Sequence, residues 1–140
     1  MLRVFLLTFG GALGTVSRYA VNGLISEHQG KHYPWSAVFP LGTLIVNVSG
    51  CFAIGFIAAV SGPAMGRAWL KPEWRDFLMI GFCGGYTTFS TFSLETFRLL
   101  EDGMAQTALV NIAVSVVTWL VAVWLGYALA SRLNRLKGRK

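Results

Sequence analysis

Residues 81–93 read GFCGGYTTFSTFS and lie inside an apolar run of roughly membrane-spanning length. Two adjacent glycines followed by two threonines disfavour a continuous helix, because glycine costs backbone entropy and β-branched side chains crowd the preceding turn. We therefore predict that the helix is broken between Gly84 and Thr88. Backbone that leaves the helix at membrane depth is tolerated only where it is buried in protein or lines a polar cavity.

Three more apolar runs accompany this one. A membrane-spanning helix needs about 20 mostly apolar residues. The four runs cover residues 4–25, 35–60, 77–99 and 105–129, and a basic tail follows at residues 131–140. None shows the alternating ten-residue pattern of a membrane β-barrel strand. The sequence therefore predicts an all-α integral membrane protein, with one four-helix domain over residues 1–140 whose third helix is broken.

Composition supports this class. Of 140 residues, 54% are hydrophobic and 13% are charged, whereas a soluble domain carries about 25% charged residues. The net charge of +6 comes mainly from basic residues at the ends of the runs, which indicates contact with membrane lipid rather than nucleic acid. Most of these basic residues lie on the side of the two termini, so the positive-inside rule favours cytoplasmic termini.

Polar residues inside the runs are the candidates for function. Arg18 is a costly charge in the first run, so we expect it to be functional or paired, or else to reach the membrane surface. Asn47 lies in the middle of the second run. A neutral amide at that depth can bind an anion without trapping it, or can tie two helices together.

The third run offers two kinds of ligand. Free carbonyls at a helix break are hard oxygen ligands that suit Na⁺. Beyond the break, Phe89 and Phe92 share a helix face, and the positive edge of an aromatic ring can meet an anion. The alternative explanation is that these two phenylalanines pack in the protein core or contact lipid. Ser90 and Thr91 point elsewhere and provide hydroxyl donors.

The remaining polar and small residues have simpler explanations. Glu95, the one acid in a predicted span, lies three residues before Arg98, which predicts a local ion pair. Asn111, Ser115 and Thr118 form a polar stripe on the fourth run, which lines a path or bonds to a neighbouring helix. Glycines four apart in the first and third runs, at 10 and 14 and at 81 and 85, favour close backbone contact. No nucleophile–base pair or phosphate loop occurs, so we predict no enzyme.

Three motifs closely resemble those of the Fluc/CrcB family of fluoride ion channels. They are Gly10-Gly11-x-x-Gly14-x-x-x-Arg18-Tyr19, Gly42-Thr-x-x-Val46-Asn47-x-x-Gly50 and the run GGYTTFSTFS at residues 84–93. The resemblance implies a fluoride-selective channel in the plasma (inner) membrane of a prokaryote, which exports fluoride passively and protects against its toxicity. It also implies an antiparallel homodimer with two fluoride pathways and a central structural Na⁺.

The resemblance further implies roles for individual residues. The matching positions are Gly84 and Thr87 for the sodium-binding carbonyls, Phe89 and Phe92 for the aromatic lining, Asn47 for the pathway amide, Ser90, Thr91 and Ser115 for the hydroxyl track, and Arg18 and Glu95 for a structural or electrostatic role. The antiparallel dimer rests on the resemblance alone, since the basic tail biases the charge towards one orientation.

Two other functions compete with this one. A small four-helix drug exporter coupled to protons needs a carboxylate embedded in the membrane. The first, second and fourth runs contain none, and Glu95 lies near the end of the third. The other hypothesis is a scaffold subunit that transports nothing, but it does not explain the predicted helix break.

Overall fold

A computed structural model describes residues 1–32, 39–62 and 70–137. Within these ranges the chain is all-helical and contains no strand. The helices are α1 (Leu2–His32), α2 (Leu41–Ser61), α3 (Pro72–Asp76), a π-helical segment (Phe77–Cys83), α4 (Gly84–Tyr86), α5 (Phe89–Glu101) and α6 (Ala105–Lys137). The predicted start of the second span, residues 35–38, and the last tail residues, 138–140, lie outside the described residues.

Among the described residues, three helices are long and apolar enough to cross a membrane, namely α1, α2 and α6. The third run does not add a fourth helix of this length, because its helical pieces are interrupted within residues 72–101. Helices α1 and α6 also extend past the predicted spans, to His32 and Lys137. Hydropathy marks the apolar part of a helix, and a polar sequence can continue the same helix outside it.

The break in the third run falls at Thr87 and Thr88, inside the predicted interval. Both residues are extended, with φ and ψ of −80° and 159° at Thr87 and −151° and 122° at Thr88. Helix α5 begins at Phe89, and the Thr88 hydroxyl caps it by accepting a hydrogen bond from the Thr91 N–H at 3.1 Å. A side-chain cap of this kind satisfies one of the unpaired N–H groups at the new helix start.

The two halves of the third run pack against different neighbours. The π-helical segment and α4 lie mainly against α1, α5 lies mainly against α6, and α2 contacts both halves. A methyl group added at Gly10 would lie 3.1 Å from Gly81 Cα, and one added at Gly14 would lie 2.7 Å from Tyr86 N. The glycines of α1 thus allow the two backbones to touch, as their spacing predicted.

Two pairs of contacts set the direction of α5 against α2. Thr43 contacts Glu95 and Asn47 contacts Thr88, so the two helices run antiparallel. This places the break beside the first half of α2.

Two further pairs relate α5 to α6. Thr96 contacts Asn111 and Phe92 contacts Trp119, so these helices are also antiparallel. Helices α2 and α6 therefore run in the same direction, and both pack against α5.

Candidate functional site

The break is stabilised from α2 by one side chain. Asn47 Nδ2 donates to the Thr88 carbonyl at 2.9 Å, and Asn47 Oδ1 accepts from the Thr88 N–H at 2.8 Å. Both residues are buried. Asn47 therefore ties two helices together, which is one of the two roles its position predicted. Its Nδ2 carries a second N–H, for which the described residues provide no acceptor, so the amide keeps one donor for a ligand.

Three hydroxyl groups form a connected row where α5 begins. Thr88 Oγ1 lies 3.2 Å from Ser90 Oγ and donates to Thr91 Oγ1 at 3.0 Å. Each hydroxyl has a single proton. When Ser90 donates to Thr88 and Thr88 to Thr91, the proton of Thr91 remains available. The predicted donors Ser90 and Thr91 are thus joined through Thr88. Our sequence interpretation assigned Thr88 no separate role, although a threonine just before a helix start is a common N-cap.

Phe89 and Phe92 contact each other, with ring centroids 5.7 Å apart and an interplanar angle of 48°. Their surroundings differ sharply. Phe92 is 7% exposed and meets Trp119 of α6 in a T-shaped contact at 5.0 Å, whereas Phe89 is 71% exposed. One ring therefore belongs to the interior of the chain and the other to its surface, although both lie on the same side of α5.

The polar stripe of α6 is connected to the Phe92 backbone by hydrogen bonds. Asn111 Nδ2 donates to Thr96 Oγ1 at 2.9 Å, and Thr96 in turn donates to the Phe92 carbonyl at 2.7 Å. Ser115 Oγ lies 3.4 Å from Asn111 Oδ1 and donates to it. Asn111 thus bonds to a neighbouring helix. Within the described residues Ser115 has no hydrogen bond to Ser90 or Thr91, so the structure does not join the predicted hydroxyl positions into one row.

The break leaves the carbonyls of Gly84 and Thr87 available to partners outside the helix. Because the Thr88 N–H donates to Asn47, it is not available to the Gly84 carbonyl, its partner in a regular helix. Gly84 is also exposed, with no atom within 4 Å of an added methyl group. The Thr87 carbonyl accepts from Arg18 Nη1 at 3.4 Å and keeps a second lone pair. Arg18 is therefore paired with the break.

These carbonyls fit a sodium ion in part. Uncharged backbone oxygens at an interrupted membrane helix are the ligands that Na⁺ uses in transporters. The Gly84 carbonyl is such a ligand. The Thr87 carbonyl can also bind Na⁺, through the lone pair that does not accept from Arg18. Two oxygens from one chain fill only part of an ion's coordination shell, so further ligands must come from water or from a second copy.

Glu95 bonds to α2. Its Oε1 accepts from Thr43 Oγ1 at 2.9 Å, while its Oε2 is buried without a hydrogen-bond partner in the described part of the chain. Arg98 lines the same cavity of about 400 Å³, and within the described residues no salt bridge joins it to the carboxylate. The hydrogen bond to Thr43 takes the place of the predicted ion pair. Thr43 was missed, although it lies one turn before Asn47 and hence on the same helix face.

Comparison with known proteins identifies the family. The model of the family described as CrcB-like protein, Camphor Resistance (CrcB) matches residues 5–127. A protein of Rhodopseudomonas palustris named fluoride-specific ion channel FluC 1 is 51% identical over 133 residues, which are 95% of this chain and 89% of its own length. A protein of Opitutus terrae named fluoride-specific ion channel FluC is 48% identical over 132 residues, covering 94% and 95% of the two chains.

The match extends over nearly all of the sequence and includes the three motifs and the break that the structure places between α4 and α5. The chain is thus a multi-pass membrane protein of the Fluc/CrcB family of fluoride ion channels, as the resemblance of its motifs predicted.

Proposed function

We propose that this protein is a fluoride-selective channel that lets fluoride leave the cytoplasm passively and so protects a prokaryotic cell from fluoride toxicity. The names of its relatives support fluoride as the transported ion. The structural observation that carries the proposal is the break itself. Asn47, which bonds to the break, and Thr91, just after it, each keep an uncharged donor that no described residue accepts.

Neutral donors suit a small, strongly hydrated anion. A channel must replace the ion's water shell with several hydrogen bonds and still bind it weakly enough to release it. An amide, a hydroxyl and aromatic ring edges supply partial positive charge without a charged side chain in contact with fluoride that would trap it. A negative cell interior then drives each anion outward by about 2.3 kcal/mol per 100 mV.

The pathway in this proposal passes the start of α5. Asn47 and Thr91 supply donors, Ser90 joins the row of hydroxyls through Thr88, and Phe89 and Phe92 supply ring edges. Ser115 belongs to the wall behind Phe92, because its hydroxyl is buried and bonds to Asn111. Glu95 and Arg18 act on the pathway through the residues they contact, Thr43 and Thr87.

The proposal includes an antiparallel homodimer with two pathways. Two observations support a second copy: Phe89 is largely exposed on the single chain, and the Gly84 and Thr87 carbonyls fill only part of a cation's coordination shell. A Na⁺ held by these carbonyls and their symmetry mates would supply a fixed positive charge that offsets the desolvation of an anion.

Fluoride efflux from proteoliposomes tests the function. Purified protein is reconstituted in vesicles loaded with potassium fluoride or potassium chloride, and efflux is started with a potassium ionophore and followed by ion-selective electrodes. We expect rapid fluoride efflux without a pH gradient and chloride efflux no faster than from protein-free vesicles. Fluoride efflux at the protein-free rate, or efflux that requires a proton gradient, would overturn the proposal.

A further inference from the structure

The indole N–H of Trp119 is a buried hydrogen-bond donor without a use in the contacts described so far. Its Nε1 is shielded from solvent, and within residues 1–32, 39–62 and 70–137 it has no acceptor. An indole nitrogen can only donate. Since a buried donor without a partner destabilises the folded chain, this N–H is expected either to carry a function or to be satisfied by a ligand.

None of the polar groups described around Phe92 is hydrogen-bonded to this N–H. Trp119 lies one helical turn after Ser115, whose hydroxyl donates to Asn111. On the facing helix, the Phe92 carbonyl accepts from Thr96 and the Thr96 hydroxyl accepts from Asn111. The Trp119 ring itself makes a T-shaped contact with Phe92. Trp119, whose ring packs against Phe92, therefore presents a polar atom that the surrounding hydrogen bonds do not satisfy.

We infer that the Nε1–H of Trp119 donates a hydrogen bond to fluoride as the ion passes Phe92. This inference rests on the proposed function, which makes Phe92 part of the wall of the pathway. An indole N–H is neutral, so it can stabilise an anion and release it. Fluoride is the strongest hydrogen-bond acceptor among the halides, so a donor at this point also favours it over chloride.

The competing explanation is a contact within the protein. In a T-shaped pair the N–H can point at the face of the partner ring, which is a weak interaction. In that case the indole N–H would not respond to any halide. The two explanations differ in whether the N–H senses the ion, so the first measurement follows the N–H itself.

Indole N–H resonances report this directly. The full-length protein is labelled with ¹⁵N-tryptophan, placed in lipid nanodiscs and titrated with sodium fluoride or sodium chloride at constant ionic strength. The Trp119 resonance is assigned by its loss in Trp119→Phe. Trp124 lies on the same helix, is 66% exposed and serves as the internal control. We expect fluoride to shift the Trp119 proton downfield while chloride does not, and Trp124 to stay unchanged. A Trp119 proton resonance that does not shift when fluoride is added overturns the inference.

Flux provides the second measurement. Trp119→Phe keeps an aromatic ring against Phe92 and removes the N–H, and we expect fluoride efflux to fall about tenfold or more, the effect of losing one hydrogen bond to a charged group. Trp124→Phe is the matched control and should conduct like the unmodified protein. Unchanged efflux in Trp119→Phe would overturn the inference and leave the proposed function intact, whereas no efflux from the unmodified protein would defeat the proposed function instead.

A benzothienylalanine at position 119 separates the N–H from the shape of the ring. This residue replaces the N–H by sulfur and preserves the two-ring outline, so misfolding does not explain a loss of flux. We expect it to conduct as poorly as Trp119→Phe. Recovery of full efflux with this residue would show that ring volume alone matters and would overturn the inference.

Discussion

Asn47 and Thr88 exchange two hydrogen bonds, at 2.9 Å and 2.8 Å, across 41 residues of sequence. The amide takes over the backbone N–H that would otherwise continue the helix of the third run. The break therefore depends on α2 as much as on the glycines and threonines that surround it. Its geometry is held by a side chain that also keeps one donor unused.

The first prediction concerns this pair. Asn47→Ala leaves the Thr88 N–H buried without a partner, and such a group costs about 1–3 kcal/mol. We expect a clear fall in melting temperature in detergent, measured by fluorescence-detected size-exclusion chromatography, and loss of fluoride efflux. Thr8→Ala is the control, since its hydroxyl is exposed and donates to Val4 of its own helix. Equal melting temperatures for the two variants would contradict the role given to Asn47.

The second prediction distinguishes the two phenylalanines. Phe89→Ile and Phe92→Ile should both largely abolish fluoride efflux, because an aliphatic side chain has no positive ring edge. Only Phe92→Ile should also lower the stability of the chain, by on the order of 1 kcal/mol, because only Phe92 is packed inside it. Efflux and melting temperature are measured on the same preparations. If both variants conduct like the unmodified protein, the assignment of the pathway is refuted.

The third prediction concerns the contact between α1 and the third run. A methyl group at Gly14 would collide with backbone atoms around Tyr86, so Gly14→Ala should destabilise the protein by about 1–3 kcal/mol. Gly23→Ala on the same helix is the matched control. It meets no atom within 4 Å and should be neutral or stabilising by up to about 1 kcal/mol, since alanine favours helix. Thermal unfolding of both variants checks this, and a stable Gly14→Ala protein would argue against the close approach.

The fourth prediction addresses orientation in the membrane. A cysteine added after Lys140 should react with a membrane-impermeant maleimide from both sides, in roughly half of the chains each, if the dimer is antiparallel. Cys83 is buried and Cys51 is half-buried, and a double serine variant provides the background. Labelling from one side only, the outcome that the basic tail favours by itself, would rule out the antiparallel dimer.

The sequence was sufficient to predict helices and the place where one of them breaks. Long apolar runs indicate burial in lipid, and Gly-Gly followed by Thr-Thr indicates poor helix formation. Both features depend only on residues that are close in sequence. The partners of the polar side chains are not local. Thr43 and Glu95 lie 52 residues apart, and the hydrogen bond between them depends on how α2 and α5 cross. The continuation of α1 beyond residue 25 was also not predicted, because hydropathy identifies only the apolar part of a helix.

The candidate site was predicted by residue type and resemblance, and less well by arrangement. Asn47, Ser90 and Thr91 were named, but Thr88, which connects all three, was not singled out. Ser115 was named as a pathway hydroxyl, yet its burial beside Asn111 follows from the packing of α6 on α5. Trp119 was overlooked because a tryptophan in an apolar run is usually explained by burial or lipid contact alone.

The two halves of the third run pack mainly against different helices, one against α1 and the other against α6, while α2 contacts both. Substitutions more than about 7–10 Å apart with no common partner usually have additive effects on the free energy of unfolding. A double-mutant cycle that combines Gly14→Ala with a change at Asn111 should therefore give a coupling energy near zero. The same Gly14→Ala combined with a change at Asn47 should not, because Gly14 contacts Tyr86 and Asn47 bonds to Thr88, two residues further along the same segment.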